Sequence, residues 1–220
     1  EITTRLVGSE MCIRDRNCEV ANMRKTVLIT GASGGLGLEF ARIYAREGFD
    51  LVVVARSEGK LYKLKSELET QYDCHVWVLA QDLSQPDAAY EVFNYTLEKN
   101  ITIDALVNNA GFGDFGNFWE VDAQRQTDLL QVNIMTLVQL TRYFLPGMVE
   151  RRHGSVLNLS SVAAFSAGPR MCLYYASKEF VRSFSEAVAE EVRSTGVTVT
   201  ALCPGPTATG FEQAAQMKNS

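Results

Sequence analysis

Short apolar runs alternate with longer amphipathic segments from Met23 onward, and this alternation restricts the fold more than any other feature. Strands are predicted at 26–30, 51–55, 76–80, 105–108, 155–159 and 197–203. The run 51–55 is continuously apolar, which is typical of a strand that is buried on both faces. Helices are predicted between the strands, at 36–47, 61–72, 88–99, 124–151 (with an internal boundary near 130–133) and 174–194. We therefore predict an α/β fold with a doubly wound parallel sheet and a ligand crevice at the carboxyl ends of its strands.

The composition is that of one globular domain. Of the 220 residues, 46% are hydrophobic and 21% are charged, which allows a sizeable core. The net charge of −5 and the scattered Lys and Arg residues give no basic surface for nucleic acid. The longest apolar runs are too short for a membrane span. The five cysteines include no Cys-x-x-Cys pair, and the two histidines add no metal-ligand spacing, so we expect free thiols, a cytoplasmic location and no metal.

The first 22 residues differ from the rest of the sequence. They show no clear periodicity and no apolar stretch of a signal peptide. The segment 11–16, Met-Cys-Ile-Arg-Asp-Arg, resembles the translation of a transposon end used in preparing sequencing libraries. We interpret residues 1–22 as a non-native or disordered extension and residues 23–220 as the folded domain.

A glycine-rich loop lies between the first predicted strand and the first helix. Its sequence at 30–37 is Thr-Gly-Ala-Ser-Gly-Gly-Leu-Gly. Glycine lets the backbone approach a pyrophosphate, which then meets the N–H groups of the helix N-terminus. The spacing fits G-x-x-x-G-x-G through Gly31, Gly35 and Gly37, and also G-x-x-G-x-x-G through Gly31, Gly34 and Gly37. The spacing alone does not decide between them.

Tyr174 and Lys178 are four residues apart in a predicted helix, so their side chains share one face. A tyrosine has an ordinary pKa of about 10, and a nearby ammonium group stabilises the phenolate and lowers that pKa. Bringing the pKa near 7 requires roughly 3–4 kcal/mol. The pair therefore suggests a proton donor or acceptor. Tyr175 is adjacent, but only Tyr174 has a lysine four residues later.

Taken in order, six motifs resemble the short-chain dehydrogenase/reductase family in its compact single-domain branch. They are the glycine loop at 30–37, Asn-Asn-Ala-Gly at 108–111, Asn133, Ser161 thirteen residues before Tyr174, the Tyr174–Lys178 pair, and Pro-Gly at 204–205. The resemblance runs from residue 25 to about 211 and implies a Rossmann-type fold. It also implies an oxidoreductase that interconverts a carbonyl and an alcohol by hydride transfer.

The resemblance implies a catalytic role for Asn133, Ser161, Tyr174 and Lys178. Tyr174 would act as the general acid or base, and Ser161 would orient the carbonyl oxygen. Lys178 would lower the pKa of Tyr174 and hold the nicotinamide ribose, and Asn133 would anchor a water on a proton path. Ser160 competes with Ser161, which the spacing favours. The implied cofactor-binding residues are Gly31, Ser33, Gly35, Leu36, Gly37, Arg56, Asp82, Leu83, Asn109, Ala110, Gly111, Tyr174, Lys178, Pro204, Gly205, Thr207 and Thr209.

The end of the second predicted strand favours NADP(H) over NAD(H). A carboxylate at this position binds the ribose 2′-hydroxyl of NAD. Here Ala55 occupies the position and Arg56 follows it, and a guanidinium pairs with a 2′-phosphate that a carboxylate would repel. Asp82 resembles the residue that contacts the adenine in the family, although it could equally cap the next helix.

Aromatic and apolar residues near the predicted site favour a lipophilic carbonyl or alcohol substrate. They are Phe112, Phe115, Phe165, Met171 and Leu173. By resemblance, residue 220 falls inside the segment that forms the substrate lid in this family, and we expect that the family's final strand and C-terminal tail are missing from this sequence. By resemblance, two long helices pair between subunits in a homodimer or homotetramer.

Two other functions are open at this point. One is a non-catalytic dinucleotide-binding sensor or scaffold, which the complete set of four catalytic residues disfavours. The other is an epimerase or dehydratase on a related larger scaffold, which fits the alternative glycine spacing. The Asn-Asn-Ala-Gly motif and the lack of room for a second lobe disfavour it.

Overall fold

A computed structural model describes residues 24–205 and shows one six-stranded parallel sheet with helices on both faces. The strands are β1 (Thr26–Thr30), β2 (Asp50–Ala55), β3 (Val76–Ala80), β4 (Ala105–Asn108), β5 (Gly154–Leu159) and β6 (Val197–Leu202). The helices are α1 (Gly35–Arg46), α2 (Glu58–Gln71), α3 (Ala88–Glu98), α4 (Ala123–Leu130), α5 (Leu137–Arg151) and α6 (Cys172–Glu191). A π-helical turn (Gln131–Thr136) joins α4 to α5, and a 3₁₀ turn (Val162–Phe165) follows β5. The predicted α/β class is confirmed.

The strand order β3-β2-β1-β4-β5-β6 places the reversal of chain direction between β1 and β4. In β1, all five residues are buried, because successive side chains enter cores on opposite faces of the sheet. Leu28 packs in the core beneath α3, α5 and α6, whereas Val27 and Ile29 pack in the core beneath α1 and α2. The carboxyl ends of β1 and β4 therefore meet at the switch point, where ligands bind in open α/β sheets.

Buried amides fix the central strands beside this switch point. Asn108, at the end of β4, donates to the Asn158 side chain of β5 at 2.9 Å and to the Thr141 hydroxyl of α5 at 3.1 Å. The Asn158 amide then donates to the Ser185 hydroxyl of α6 at 2.9 Å. These bonds join two strands and two helices at positions that are almost fully buried. Buried hydrogen bonds of this kind specify one arrangement of a core, although Asn108 Oδ1 has no hydrogen-bond partner among residues 24–205.

Candidate active site

The glycine loop forms a tight turn from β1 into α1. Gly31 has a φ of 69° and Gly35 a φ of 56°, and both values lie in the left-handed region that favours glycine. A Cβ on Gly37 would collide with the carbonyl oxygen of Gly31, so this glycine permits close packing of helix and strand. Gly34 is extended, with a φ of 177°, and has open space beside its Cα. Backbone conformation at 31 and 35 and close packing at 37 therefore favour glycine, which supports the G-x-x-x-G-x-G spacing.

The amino end of α1 fits a dinucleotide pyrophosphate. Within the described range 24–205, no side chain caps its first N–H groups, and its first turn has no acidic residue. Ser33 and Leu36 are half-buried beside the open space at Gly34. Uncapped amides at a helix N-terminus form a ready site for a phosphate anion. The chain thus retains the backbone arrangement that this cofactor needs.

Asn109 braces the same turn from the β4 side. Its side-chain amide donates to the carbonyl oxygens of Thr30 and Gly31, at 2.8 and 3.3 Å. The backbone N–H groups of Asn109 and Ala110 both donate to the Thr30 hydroxyl at 3.0 Å. These bonds hold the segment that leads to Gly111 against the glycine loop. The contacts are architectural and leave Gly111 exposed at the switch point.

Two predicted cofactor residues lie after β2 and β3. Arg56 directly follows β2, is exposed, and its guanidinium has no ion pair with the residues that the structure describes. Asp82 accepts hydrogen bonds from the N–H and the hydroxyl of Ser84, at 3.0 and 2.9 Å. Helix α3 begins at Ala88 and its N-cap is Asp87, so the alternative role of Asp82 as a helix cap was wrong. Leu83 is buried beside it.

Tyr174 and Ser161 meet at the start of α6. Burial raises the pKa of Tyr174, and a hydrogen bond from the Ser161 hydroxyl opposes part of that rise. The Ser161 oxygen also accepts a hydrogen bond from the N–H of Ala163 at 3.1 Å, which orients the hydroxyl. The neighbouring Ser160 is turned away, because its hydroxyl donates to the backbone carbonyl of Lys178 at 2.7 Å. Of the two serines, Ser161 faces the tyrosine.

Lys178 is buried behind Tyr174. Only 6% of the residue is exposed, and its Nζ donates to the Leu159 carbonyl at 2.7 Å. The Nζ lies 5.8 Å from the centre of the Tyr174 ring. Burial lowers the pKa of Lys178 to about 8. Burial of the phenol outweighs the hydrogen bond from Ser161, so the pKa of Tyr174 is raised in this structure, and the effect of Lys178 on that pKa stays a prediction.

Asn133 lies in the π-helical turn and is 1% exposed. Its side chain accepts from the N–H of Phe112 at 3.1 Å and donates to the Phe112 carbonyl at 3.0 Å. It also donates to the Ser177 hydroxyl of α6 at 3.1 Å. A Cβ on Gly111 would lie 3.1 Å from Asn133 Oδ1 and 3.4 Å from Lys178 Nζ, so these three residues converge. The π-helical turn, a feature frequent at functional sites, aims Asn133 at this point.

The structure thus brings Asn133, Ser161, Tyr174 and Lys178 together at the carboxyl edge of the sheet. Pro204 and Gly205 follow β6, and the Pro204 carbonyl accepts from the N–H of Val162 at 3.1 Å, beside Ser161. Thr207 and Thr209 lie outside the described residues, as do residues 1–22 and the segment at 206–220 in which the substrate lid is expected. In the part of the chain at 24–205, no helix is long and apolar enough to cross a membrane, and no three His, Cys, Asp or Glu side chains are grouped as metal ligands.

A strand order of this kind, with a glycine turn at its switch point, defines a nucleotide-binding doubly wound protein. The chain belongs to the short-chain dehydrogenase family, whose family model matches residues 25–220. It is 33% identical over 181 residues to a very-long-chain 3-oxoacyl-CoA reductase of Anas platyrhynchos, covering 80% of this chain and 58% of that protein. The chain therefore spans little more than half the length of that relative.

Two solved structures show the same fold. A short-chain dehydrogenase from Sphingobium yanoikuyae in complex with NADPH superimposes with a TM-score of 0.84 at 34% identity, covering 88% of this chain and 76% of that one. A bulky-bulky ketone specific alcohol dehydrogenase from Comamonas testosteroni gives a TM-score of 0.80 at 33% identity, with coverage of 84% and 73%.

Sequence reasoning did not single out Asp114. It lies in the loop after β4, is 9% exposed, and its Oδ1 accepts a hydrogen bond from Arg125 Nε of α4 at 3.1 Å. With Tyr174 it lines a cleft. The only signal in the sequence is one charged residue within the otherwise glycine- and phenylalanine-rich run at 111–116, and such a residue also suits a turn.

Proposed function

We propose that this chain is an NADP(H)-dependent oxidoreductase that interconverts a carbonyl and an alcohol, with Tyr174 as the general acid or base. The observation that carries the proposal is the convergence of Tyr174, Ser161 and Lys178 beside Gly111 at the switch point. Family membership supports the reaction class. The NADPH complex of the Sphingobium relative supports the cofactor.

The bound cofactor would lie along residues from four loops. The amides at the start of α1, with Gly31, Gly35 and Gly37, would hold the pyrophosphate, and Arg56 would pair with the 2′-phosphate. Lys178 and the segment at Asn109–Gly111 would face the nicotinamide end. When bound, the reduced nicotinamide supplies a hydride to the carbonyl carbon.

Residues of the chain donate and accept the proton that accompanies hydride transfer. In the reducing direction, Tyr174 holds a proton on its phenol oxygen, because its raised pKa keeps it neutral near pH 7. The Ser161 hydroxyl is positioned to hydrogen-bond the same carbonyl oxygen as negative charge develops on it. Lys178 holds the β5 end through the Leu159 carbonyl and keeps a cationic group beside the phenol. In the oxidising direction the same phenol accepts the proton.

The cleft beside Tyr174 and the names of the relatives indicate a broad class of substrate. The relatives act on a 3-oxoacyl-CoA and on bulky ketones, by their names. The cleft beside Tyr174 has apolar walls from Phe118, Val121, Met171 and Leu173. We propose that it accepts a carbonyl compound with a bulky, largely apolar body. We also propose, from the family resemblance, that the protein forms a homodimer or homotetramer in which α5 and α6 pair between subunits.

Replacing Arg56 by alanine is expected to raise KM for NADPH by about 10- to 100-fold and to leave KM for NADH within about twofold. The reason is that a charge-assisted bond to a phosphate contributes about 1.5–3 kcal/mol. Steady-state oxidation of each cofactor, with a panel of ketones as substrates, measures both constants. Lys60→Ala is the matched control, since Lys60 is an exposed cation in the first turn of α2. Equal losses for both cofactors would contradict the NADP(H) assignment.

A further inference from the structure

Asp114 has one carboxylate oxygen without a hydrogen-bond partner among residues 24–205. Its Oδ1 accepts hydrogen bonds from Arg125 Nε at 3.1 Å and from the N–H of Phe115 at 3.0 Å. Its Oδ2 is fully buried and has no hydrogen-bond partner in the part of the protein that the structure describes. A buried, unsatisfied polar atom is costly, and in native structures it calls for an explanation such as a role in the active site or a bound water.

The side chains around Asp114 are engaged elsewhere. Arg125 donates through Nη2 to the Gly113 carbonyl at 3.2 Å, and its guanidinium lies 5.2 Å from the centre of the Phe112 ring. The Gln126 amide donates to the Phe118 carbonyl at 2.9 Å. These contacts fix the loop that carries Asp114, but none of them reaches Oδ2.

Asp114 and Tyr174 line the same cleft. The lining otherwise consists mainly of apolar and aromatic side chains, with Arg170 as a second charged group. The Arg170 guanidinium lies 5.7 Å from the centre of the Phe115 ring, and the Arg170 carbonyl accepts from the N–H of Gly116 at 2.9 Å. A carboxylate acceptor and a guanidinium donor thus occur together in an apolar cleft beside the proposed proton donor.

We propose that Asp114 is a specificity-determining residue that accepts a hydrogen bond from a hydroxyl group of the substrate. This inference rests on the proposed function, since the same substrate presents its carbonyl to Tyr174. A hydroxyl fits because it donates to the carboxylate and can also accept from Arg170. A substrate carboxylate would be repelled by Asp114. The substrate class is therefore a hydroxylated ketone or aldehyde with an otherwise apolar body.

Matched cyclic ketones test the proposal. The probes are 4-hydroxycyclohexanone, 4-methylcyclohexanone and 4-oxocyclohexanecarboxylate, which place a hydroxyl, an apolar group of similar size, or a charge at one position. With wild-type enzyme and NADPH, kcat/KM is expected to be at least about tenfold higher for the hydroxyl compound than for the methyl compound. Asp114→Asn is expected to reduce this ratio to within about threefold. Asp128→Asn, which changes a carboxylate of α4 outside the cleft lining, is expected to keep it.

The ratio of kcat/KM for the hydroxyl and methyl ketones distinguishes recognition of the substrate by Asp114 from a role of Asp114 in stabilising the loop. If Asp114 only stabilised the loop, Asp114→Asn would lower kcat/KM for all three ketones alike and leave the ratio unchanged. That result would overturn the proposal, as would a wild-type ratio near one, which would mean that water alone occupies the site. A preference for the carboxylate compound would assign the subsite to Arg170 instead and would also overturn it.

Direct binding keeps the two proposals distinguishable. Calorimetric titration of NADP⁺-saturated protein with trans-1,4-cyclohexanediol and 4-methylcyclohexanol measures recognition without turnover. Tighter binding of the diol to wild type, lost in Asp114→Asn, is expected even if none of the ketones is reduced. In that case the proposed reaction would fail while the subsite stands. If both alcohols bound with equal affinity, the proposed hydroxyl subsite would be wrong. If the ketones were nevertheless reduced, the proposed reaction would still stand.

Discussion

Replacing Tyr174 by phenylalanine is expected to lower kcat for carbonyl reduction by about 10²- to 10⁴-fold, the usual contribution of a positioned general acid. The change removes only the phenol oxygen and keeps the ring that packs at the start of α6. Binding of NADPH, followed by the fluorescence of the cofactor, is expected to change by less than about threefold. Steady-state kinetics with one good ketone then separate the loss of proton transfer from any loss of cofactor.

Tyr175→Phe is the matched control for this variant. The ring of Tyr175 packs against Gly168, where a Cβ would collide with it, and its hydroxyl makes no bond to the other described residues. This variant is expected to keep kcat within about twofold. If Tyr174→Phe retained most of the activity, or if both variants lost it equally, the assignment of Tyr174 as the proton donor would be wrong.

The pH dependence of the two reaction directions follows from the raised pKa of Tyr174. Burial favours the neutral phenol, so reduction is supported near neutral pH, where the proton is present. Oxidation requires the phenolate, so its rate is expected to rise as the pH increases above neutrality. In Tyr174→Phe the residual oxidation rate is expected to lose this rise.

Lys178→Met is expected to abolish most of the activity. It is also expected to change the free energy of unfolding by an amount that depends on pH. Loss of the ammonium group beside Tyr174 and of the bond to the Leu159 carbonyl displaces the site, and we expect kcat to fall by at least about 10²-fold. At pH 7, wild type buries a charged lysine whose pKa is lowered from 10.5 to about 8. That shift corresponds to a penalty of about 3 kcal/mol in the free energy of unfolding.

The sign of the stability effect follows from proton uptake. Between pH 8 and 10.5 the unfolded chain holds the lysine proton and the folded chain releases it, so the contribution of Lys178 to stability rises with pH. Below pH 8 both states are protonated and the full penalty is present. The unsatisfied Leu159 carbonyl in Lys178→Met costs about 1–3 kcal/mol at every pH. The stability of the variant relative to wild type is therefore expected to fall by about 3 kcal/mol between pH 7 and pH 10.5.

Urea denaturation of both proteins across this pH range measures the effect. Lys65→Met is the matched control, because Lys65 Nζ also donates to a strand carbonyl, that of Val76 at 2.7 Å, but solvent reaches its side chain and Glu69 pairs with it. Its stability difference from wild type is expected to stay nearly constant. A constant difference for Lys178→Met would show that the lysine is not buried in its charged form.

Much of the fold could be predicted from periodicity. The predicted bounds of β1, β3 and β4 agree with the structure, because short apolar runs between polar segments leave little ambiguity. The start of α2 was placed three residues too late, at 61 rather than Glu58, since its first turn is polar and shows no apolar period. The 3₁₀ turn at Val162–Phe165 was missed because short turns have no periodicity. The boundary predicted near 130–133 coincides with the π-helical turn, whose hydrogen bonding the sequence could not specify.

Some features of the candidate site could be predicted from the sequence, and others required the three-dimensional structure. Spacing alone placed Tyr174 and Lys178 on one helix face. In the structure, Lys178 Nζ lies 5.8 Å from the centre of the Tyr174 ring. Spacing could not give the burial of the phenol, which raises the pKa of Tyr174. The choice of glycine spacing required the φ of Gly35, which only the backbone reveals. Asp114 was overlooked because its significance lies in an unsatisfied oxygen, a property of three-dimensional packing.

Transfer of an isotopic label from NADPH to a ketone measures hydride transfer and the role of Tyr174 in one experiment. The protein is incubated with NADPH that carries deuterium at the transferable C4 position and with a ketone that it reduces, and the alcohol is analysed by mass spectrometry. We expect one deuterium on the carbinol carbon in wild type, and a rate of label transfer that is about 10²- to 10⁴-fold lower in Tyr174→Phe. Tight binding of NADPH without label transfer to any ketone in a broad panel would contradict the proposed reaction and would favour a dinucleotide-binding sensor or scaffold.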